Sequence, residues 1–143
     1  LELDTDGTKQ AEHFINAVGE DLSGRLIPAV EVRLRGLYRL LPPDYYEAAD
    51  NLADFCGRIE KQYGVRPVIY CTERTYKNIV ASDSRFNKDK IWYESLFSRP
   101  DEDMDWTFWT YTNRVKFSFY ESGEYLHMTV FNGSEDDFKK LII

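Results

Sequence analysis

The spacing of apolar residues along this chain predicts four helices. In the two longest of them the apolar positions recur every three to four residues, which is the period of a helix with one buried face. Thr8 and Ser134 are the predicted N-terminal caps of the first and last helix, and Gly64 stands where a C-cap glycine belongs. The predicted helices cover residues 8–18, 44–63, 73–80 and 134–141.

Short apolar runs predict five β-strands between and after these helices. They cover residues 26–32, 67–71, 91–93, 106–111 and 125–131. Helices separate the early strands, which are therefore expected to be parallel, whereas the last two strands follow each other around a polar turn at Ser122 and Gly123. Pro28 lacks an amide proton and is expected at the beginning of the first strand. The order predicts one α/β domain over residues 1–143.

Charge and hydropathy exclude several classes of partner. The net charge of −7 argues against a nucleic-acid backbone as partner. No run approaches the ~18 to 20 consecutive apolar residues that a membrane span needs, so no span is predicted. Residues 1–7 are acidic and lack the basic and then apolar layout of a signal peptide. The residues alone therefore assign no cellular location.

The chain shows no pattern that predicts a cofactor or a metal site. It contains no phosphate-binding glycine loop, no nucleophile motif and no metal-ligand cluster. Cys56 and Cys71 lie in apolar runs and are predicted to be small buried side chains. Aromatic residues make up 15% of the chain, which suits either a thick core or a surface that stacks on sugar rings. For any single aromatic residue, core packing is the favoured interpretation.

Five segments, each weak alone, together carry a resemblance to a known family. They are DGTKQAEHFI at 6–15, LIPAVEVR at 26–33, YGVRPVIY at 63–70, IW at 91–92 with WTFWTY at 106–111, and VFNGS at 130–134. In this order they are similar to glycoside hydrolase family 25, the muramidases that cut peptidoglycan. The second segment resembles the family's strand that ends in Asp-x-Glu. The likeness covers nearly the whole chain.

The resemblance implies an incomplete (β/α) barrel of the TIM type. It begins at or just after the family's third strand, with residues 1–3 standing where the family has a strand that ends in Tyr-His-Phe. The N-terminal strands, one of which carries a catalytic aspartate in the family, are therefore expected to be missing. An open barrel exposes strand edges and an apolar interior, so a homodimer or larger assembly is expected. The family also implies the cell envelope or secretion, with peptidoglycan or another cell-wall glycan as partner.

The resemblance places the would-be catalytic pair at Glu31 and Arg33. In the family this strand end supplies two carboxyl groups, and residues two apart on a strand point to the same face. Glu31 keeps a carboxylate on a side chain that is one methylene longer. Arg33 stands where the general acid belongs, and a guanidinium does not donate a proton near neutrality. An ion pair between the two at the barrel mouth is the favoured interpretation.

Other departures from the family pattern lie at further reactive positions. His127 stands in the place of a late-strand aspartate, Thr129 in that of an asparagine and Thr110 in that of a glutamine. A lone histidine on a strand is more often structural or exposed than catalytic. The positions that shape the fold still fit: Pro28, Gly64, Trp92, Trp109, Phe131, Asn132 and Gly133.

Four aromatic residues are candidates for a saccharide cleft through ring stacking and hydroxyl hydrogen bonds. Packing inside the barrel is an equal alternative for the two tryptophans. The candidates are Tyr70, Trp92, Trp109 and Tyr111.

Three hypotheses about function follow. The first is a degenerate muramidase-like domain without hydrolytic activity that at most binds a cell-wall glycan. The second is a working hydrolase in which Glu31 is the acid and a second chain, a missing segment or the acidic loop at residues 101–105 supplies the other carboxylate. A solvated turn is the favoured interpretation of that loop. The third is a structural or assembly protein related to the family by ancestry only.

Overall fold

A five-stranded sheet forms the centre of the computed structural model, which describes residues 1–117 and 125–143. The strands are β1 Ala29–Val32, β2 Val68–Thr72, β3 Ile91–Glu94, β4 Phe108–Val115 and β5 Leu126–Phe131. They lie side by side in chain order. The first three neighbouring pairs are parallel, and β4 and β5 are antiparallel, so the predicted change of direction is confirmed. The turn predicted at Ser122 and Gly123 lies outside the described residues.

The helices occur where they were predicted, with changed ends. They are α1 Gly7–Val18, α2 Tyr45–Tyr63, α3 Glu73–Thr75 with a π-helical continuation Tyr76–Val80, and α4 Glu135–Lys139. Short 3₁₀ turns occupy Gly36–Arg39 and Ser84–Phe86. Gly64 ends α2 in the left-handed conformation at φ 74°, and Ser134 caps α4, as predicted. None of the helices in the described part of the chain combines the length and the apolarity that crossing a bilayer requires.

The predicted cap of α1 is wrong by two residues. Asp6, not Thr8, caps the helix, because its Oδ1 accepts a hydrogen bond from the Lys9 amide at 2.9 Å. The helix therefore begins at Gly7, which packs so closely on α2 that a Cβ atom there would lie 1.8 Å from the Asn51 carbonyl oxygen.

The first strand is shorter than the sequence predicted. It begins at Ala29 because Pro28 has no amide proton, although the Pro28 carbonyl accepts from the Val68 amide at 2.8 Å. Leu26 instead forms an isolated antiparallel bridge with Ile142. This bridge ties the C-terminus of the chain to the amino ends of the parallel strands.

The two faces of the sheet differ in chemistry. One face is apolar and joins α1 and α2 in the core, through buried residues that include Val32, Ile69, Tyr93, Leu52 and Phe55. Cys56 and Cys71 are buried there as free thiols, as expected. The alternate residues of the strands form two aligned rows on the other side, which we call the open face. Its first row is Glu31, Tyr70, Trp92, Phe108 and Phe131, and the second, nearer the carboxyl ends, includes Thr72, Glu94, Thr110 and Thr129.

Candidate functional site

Four charged side chains of alternating sign lie where β1 and β3 end. Arg33 Nη2 donates to Glu94 Oε2 at 2.5 Å, and Arg33 Nε lies 2.9 Å from Glu31 Oε1. The other oxygen of Glu31, Oε2, accepts from Arg35 Nη2 at 2.5 Å. We call the series Arg35, Glu31, Arg33 and Glu94 the charge ladder. The ion pair expected between Glu31 and Arg33 is present in it.

The contact between Arg33 and Glu31 is ionic and lacks hydrogen-bond geometry. Arg33 Nε is buried and makes no hydrogen bond to any described residue. Partial burial disfavours the charged guanidinium, but the carboxylates of Glu94 and Glu31 and the hydroxyl of Tyr70 outweigh this cost, so the pKa of Arg33 lies above its usual value. Arg33 is therefore a permanent cation at this strand end and has no proton to give near neutrality.

Tyr70 connects the charge ladder to the middle strand. Its hydroxyl accepts from Arg33 Nη2 at 3.1 Å and donates to the Glu94 carboxylate. The Arg33 guanidinium carbon also lies 5.7 Å from the centre of the Tyr70 ring. Burial, followed by the hydrogen bond to Glu94, raises the pKa of Tyr70 to about 12. Tyr70 thus stays a neutral donor. The Glu94 carboxylate accepts one hydrogen bond from Tyr70 of β2 and one from Arg33, which directly follows β1.

Glu94 is the site residue that sequence reasoning missed. The third strand was predicted to end at Tyr93, whereas β3 continues to Glu94 and pairs it with Thr110. A local signal existed, because residues two apart on a strand share a face and Glu94 follows Trp92 by two positions. Extending the strand by one residue would have placed a second carboxylate on the face of Glu31.

A continuous line of aromatic rings crosses the open face. The ring centres are 5.0 Å apart for Tyr70 and Trp92, 5.2 Å for Trp92 and Phe108, and 5.4 Å for Phe108 and Phe131. Phe138 of α4 closes the line at 5.3 Å from Phe131. We call these five residues the aromatic row. All are half-buried, so part of each ring is accessible from the open face.

Two threonine hydroxyls fix the polar edge of Trp92. Trp92 Nε1 donates to Thr110 Oγ1 at 2.9 Å, and Thr110 Oγ1 lies 2.7 Å from Thr129 Oγ1. Thr110 is buried, so these bonds keep a desolvated hydroxyl satisfied. The indole plane is therefore held in one orientation against its neighbours in the aromatic row.

The structure brings two of the four predicted saccharide residues together and separates the other two. Tyr70 and Trp92 lie on the open face beside Glu31. Trp109 points to the opposite face, where it packs against the core and donates from Nε1 to the Ser95 carbonyl at 3.0 Å. Tyr111 follows it on that face, with its ring centre 5.7 Å from that of Trp109. The alternation of strand β4 explains this division.

The remaining predicted residues lie away from the charge ladder. His127 is exposed on β5. The carboxylates of the acidic loop at residues 101–105 are exposed as well. The pKa of Tyr76 is raised mainly by burial, then by Cys71, and then by the carboxylates of this loop. Tyr76 packs edge-on against Tyr93 of the apolar face, with ring centres 5.7 Å apart. Within residues 1–117 and 125–143, no group of three or more His, Cys, Asp or Glu side chains could hold a metal ion.

Two cavities lie beside the charge ladder. One of about 280 Å³ is lined by Leu1, Glu2, Glu31, Arg33 and Arg35. Another of about 520 Å³ lies past the ends of β2 and β3, and Glu94 lines it together with Thr72, Arg74 and Phe97. The two carboxylates of the charge ladder therefore face different spaces, and the guanidinium lies between them.

Comparison with protein families gives a match over most of the chain. The profile of the family described as "Glycosyl hydrolases family 25" matches residues 2–118. A comparison with curated protein sequences gives no significant match. The sequence resemblance is therefore supported by the family profile.

Solved structures support the same assignment of the fold. The chain is similar to a family 25 glycosyl hydrolase from Bacillus anthracis, at 28% identity and a TM-score of 0.84, over 99% of this chain and 65% of that one. A muramidase from Acremonium alcalophilum matches at 21% identity and a TM-score of 0.73, over 99% of this chain and 68% of that one. A bacterial lysozyme from Streptomyces coelicolor matches at 23% identity and a TM-score of 0.72, over 96% and 66%.

The likenesses to the Acremonium and Streptomyces proteins, at 21% and 23% identity, show the fold alone. This chain spans 65% to 68% of the length of the three proteins. The predicted fold class, an α/β fold of the kind found in this family, is confirmed by these matches.

Proposed function

Because the chain belongs to glycosyl hydrolase family 25, we propose that it is a muramidase-like domain that binds a cell-wall glycan without hydrolysing it. The observation that carries this proposal is Arg33, which stands at the strand end where the family resemblance places the general acid. The guanidinium contacts Glu31 and Glu94 together. Peptidoglycan is the proposed glycan, as the family resemblance implies.

The chemistry of glycoside cleavage supports the loss of activity. A glycosidase needs a protonated carboxylic acid at the leaving oxygen and a second carboxylate or substrate group that stabilises the cationic centre. Arg33 contacts both carboxylates of the charge ladder, so the strand end where the family resemblance places the general acid holds a cation with no proton to give.

The open face supports binding of a saccharide. Tyr70 and Trp92 offer partly accessible rings for stacking on the apolar faces of sugars, and the charge ladder lies beside them. Sugar hydroxyls can hydrogen-bond to the carboxylates and to the guanidinium group. The aromatic row is the part of this proposal that a point substitution can test.

The position of Glu94 favours a second candidate function, hydrolysis. Glu31 and Glu94 contact the same guanidinium, so their contacting oxygens lie less than about 8 Å apart, which is below the upper limit of about 9.5 Å for glycosidase carboxylate pairs. If another segment or a second chain moved Arg33 away, the two groups would flank a common space. This alternative assigns the acid and the second carboxylate to these two residues.

A binding and cleavage assay on insoluble peptidoglycan separates the hypotheses. We expect the protein to co-sediment with peptidoglycan and to release no reducing sugar. Trp92→Ala should weaken binding about five- to tenfold, because it removes a stacking surface. Tyr111→Ala is the matched control, since this exposed ring lies on the opposite face and its removal should leave binding unchanged.

Each other outcome of this assay points to a different function. Release of reducing sugar that Glu31→Gln or Glu94→Gln abolishes would establish the hydrolase. Neither binding nor release would favour the assembly protein and would overturn the proposal.

We also propose that the chain associates with a second copy through its sheet. Strands β1 and β5 form the two edges of the five-stranded sheet, and β5 carries the exposed side chain of Val130. The N-terminal amino group of Leu1 donates to the Glu31 carbonyl of β1, so β5 is the more open edge. An open edge strand and partly exposed aromatic rings both favour association in water.

A further inference from the structure

The cavity past the ends of β2 and β3 continues the open face beyond the aromatic row. Thr72 and Glu94 line it, and they follow Tyr70 and Trp92 of that row by two positions on the same strands. Residues two apart lie about 7 Å from each other along a strand, a step of the order of one sugar unit. The volume of about 520 Å³ suits a small ligand, and ligands of parallel sheets bind past the carboxyl ends of the strands.

Three side chains that line this cavity keep polar atoms without a partner. Described residues donate to Glu94 at Oε2 only, so none of them donates to its Oε1. Asn78, in the π-helical segment Tyr76–Val80, donates to the Arg74 carbonyl, and its Oδ1 accepts from no described residue. Arg74 donates from Nη1 to the Arg39 carbonyl, and its other nitrogens bind no described residue. The cavity thus offers two acceptors and a planar donor group to a ligand.

The charges around the cavity balance and do not select an anion. Among the side chains that line it are two carboxylates, Glu73 and Glu94, and two cations, Arg74 and Lys77. Lys77 is paired with Glu73 at 2.6 Å, and the charge of Asp101 also acts on Lys77. A strongly anionic ligand would therefore be repelled by three carboxylates. An uncharged group rich in hydroxyls can use the same acceptors and donors without this repulsion.

Phe97 supplies an apolar surface at the rim of the cavity. It lines the cavity three positions after Glu94, and its side chain is fully exposed at 101%. An accessible aromatic ring beside groups that bind hydroxyls can stack on the apolar face of a sugar.

We propose that this cavity is a second saccharide subsite, in which Phe97 stacks on an uncharged sugar unit of the same glycan that Tyr70 and Trp92 bind. This inference rests on the glycan binding proposed above. Glu94 joins the two parts of the site, because it lines the cavity and also accepts the hydrogen bond of Tyr70.

The dependence of binding on saccharide length tests this inference. Disaccharide and hexasaccharide fragments of peptidoglycan glycan strands are titrated into the protein by calorimetry. The unmodified protein should bind the hexasaccharide at least about tenfold more tightly, because only the longer chain reaches both parts of the site. Phe97→Ala should weaken hexasaccharide binding about fivefold and leave disaccharide binding unchanged.

Three further variants separate the two parts of the site. Arg74→Met should weaken hexasaccharide binding about threefold and leave disaccharide binding unchanged, because it removes hydrogen-bond donors from the second subsite only. Trp92→Ala should weaken binding of both saccharides. Tyr111→Ala is the control, since this exposed ring lies on the opposite face of the sheet and its removal should change neither affinity. Circular dichroism and thermal melting check that every variant is folded.

The possible failures of the inference and of the proposed function are distinguishable. Equal affinity for the two saccharides would overturn the second subsite and leave the proposed function standing. The same holds if Phe97→Ala binds the hexasaccharide as tightly as the unmodified protein does, or if it loses affinity for both saccharides equally. Binding of neither saccharide by the unmodified protein would overturn both proposals.

Discussion

At the scale of single residues, Arg33 has the most consequential set of contacts. Its guanidinium lies between Glu31 and Glu94, both of which are partly shielded from solvent. Removing a cation from such a position leaves two carboxylates without a partner and close to each other. The cost should therefore exceed that of breaking an exposed pair.

Substitution of Arg33 by Met measures this cost. Arg33→Met should lower the free energy of unfolding by about 1 to 2 kcal/mol at neutral pH, measured by urea denaturation. Lys77→Met is the control, because it breaks an exposed pair with Glu73 and should cost only a few tenths of a kcal/mol. Equal losses in the two variants would contradict this assessment of the ladder.

The two cysteines should be chemically silent in the folded protein. Burial raises the pKa of both Cys56 and Cys71 to about 12, so the reactive thiolate is scarce at ordinary pH. A thiol reagent at about pH 8 should react with both residues in denaturant and with neither in buffer. Rapid labelling of the native protein would show that the core opens there.

The charge ladder shows how far sequence reasoning reaches at this scale. The pairing of Glu31 with Arg33 was predictable, because positions two apart on a strand share a face. The partnership with Glu94 was not, since it depends on how β1, β2 and β3 align, and this alignment is set by pairing between distant segments. Trp109 was a candidate for the cleft because its residue type suits stacking. The alternation of side chains along β4 places it on the opposite face of the sheet.

At the scale of elements, a close approach of the backbones joins α1 to α2. Gly7 lies against the Asn51 carbonyl, and the ring centres of Phe14 and Phe55 are 6.5 Å apart along the same pair of helices. A side chain at position 7 would force the helices apart, so the glycine is required by packing and not by backbone conformation.

Two helical glycines provide a matched test of this contact. Gly7→Ala should destabilise the protein by about 2 to 4 kcal/mol, because its Cβ would overlap the Asn51 carbonyl. Gly57→Ala in α2 meets open space and should stabilise by about 0.5 to 1 kcal/mol through higher helix propensity. Chemical denaturation of both variants gives the comparison. A neutral Gly7→Ala would mean that the two helices separate easily.

Element types were predictable, whereas several ends were not. Helix α2 was predicted to within one residue, because five turns of regular spacing end at a glycine. The start of α1 was misjudged because Asp6 and Thr8 are both good caps, and in the structure it is the side chain of Asp6 that accepts from the Lys9 amide. Strand β4 continues four residues past Tyr111, through irregular pairing around Thr112 that no local pattern shows.

At the scale of the whole molecule, the exposed edges of the sheet predict association. Light scattering at micromolar concentration should give twice the 16.9 kDa of one chain. Val130→Lys on the edge strand β5 should shift the mass to that of a single chain, because a charged side chain discourages pairing between edges. Tyr46→Lys, on an exposed residue of α2, should leave the mass unchanged. A single-chain mass for the unmodified protein would contradict the prediction.

Two members of the charge ladder lie far apart along the chain, which predicts when their contact forms during folding. Arg33 and Glu94 are separated by 61 positions, so their contact cannot form before β1, β2 and β3 have aligned. Contacts that form after the transition state change the rate of unfolding and leave the rate of folding nearly untouched. Stopped-flow measurements on Arg33→Met should accordingly show faster unfolding at an almost constant folding rate. On this prediction, the contacts of the Arg33 guanidinium slow unfolding and so prolong the lifetime of the native state.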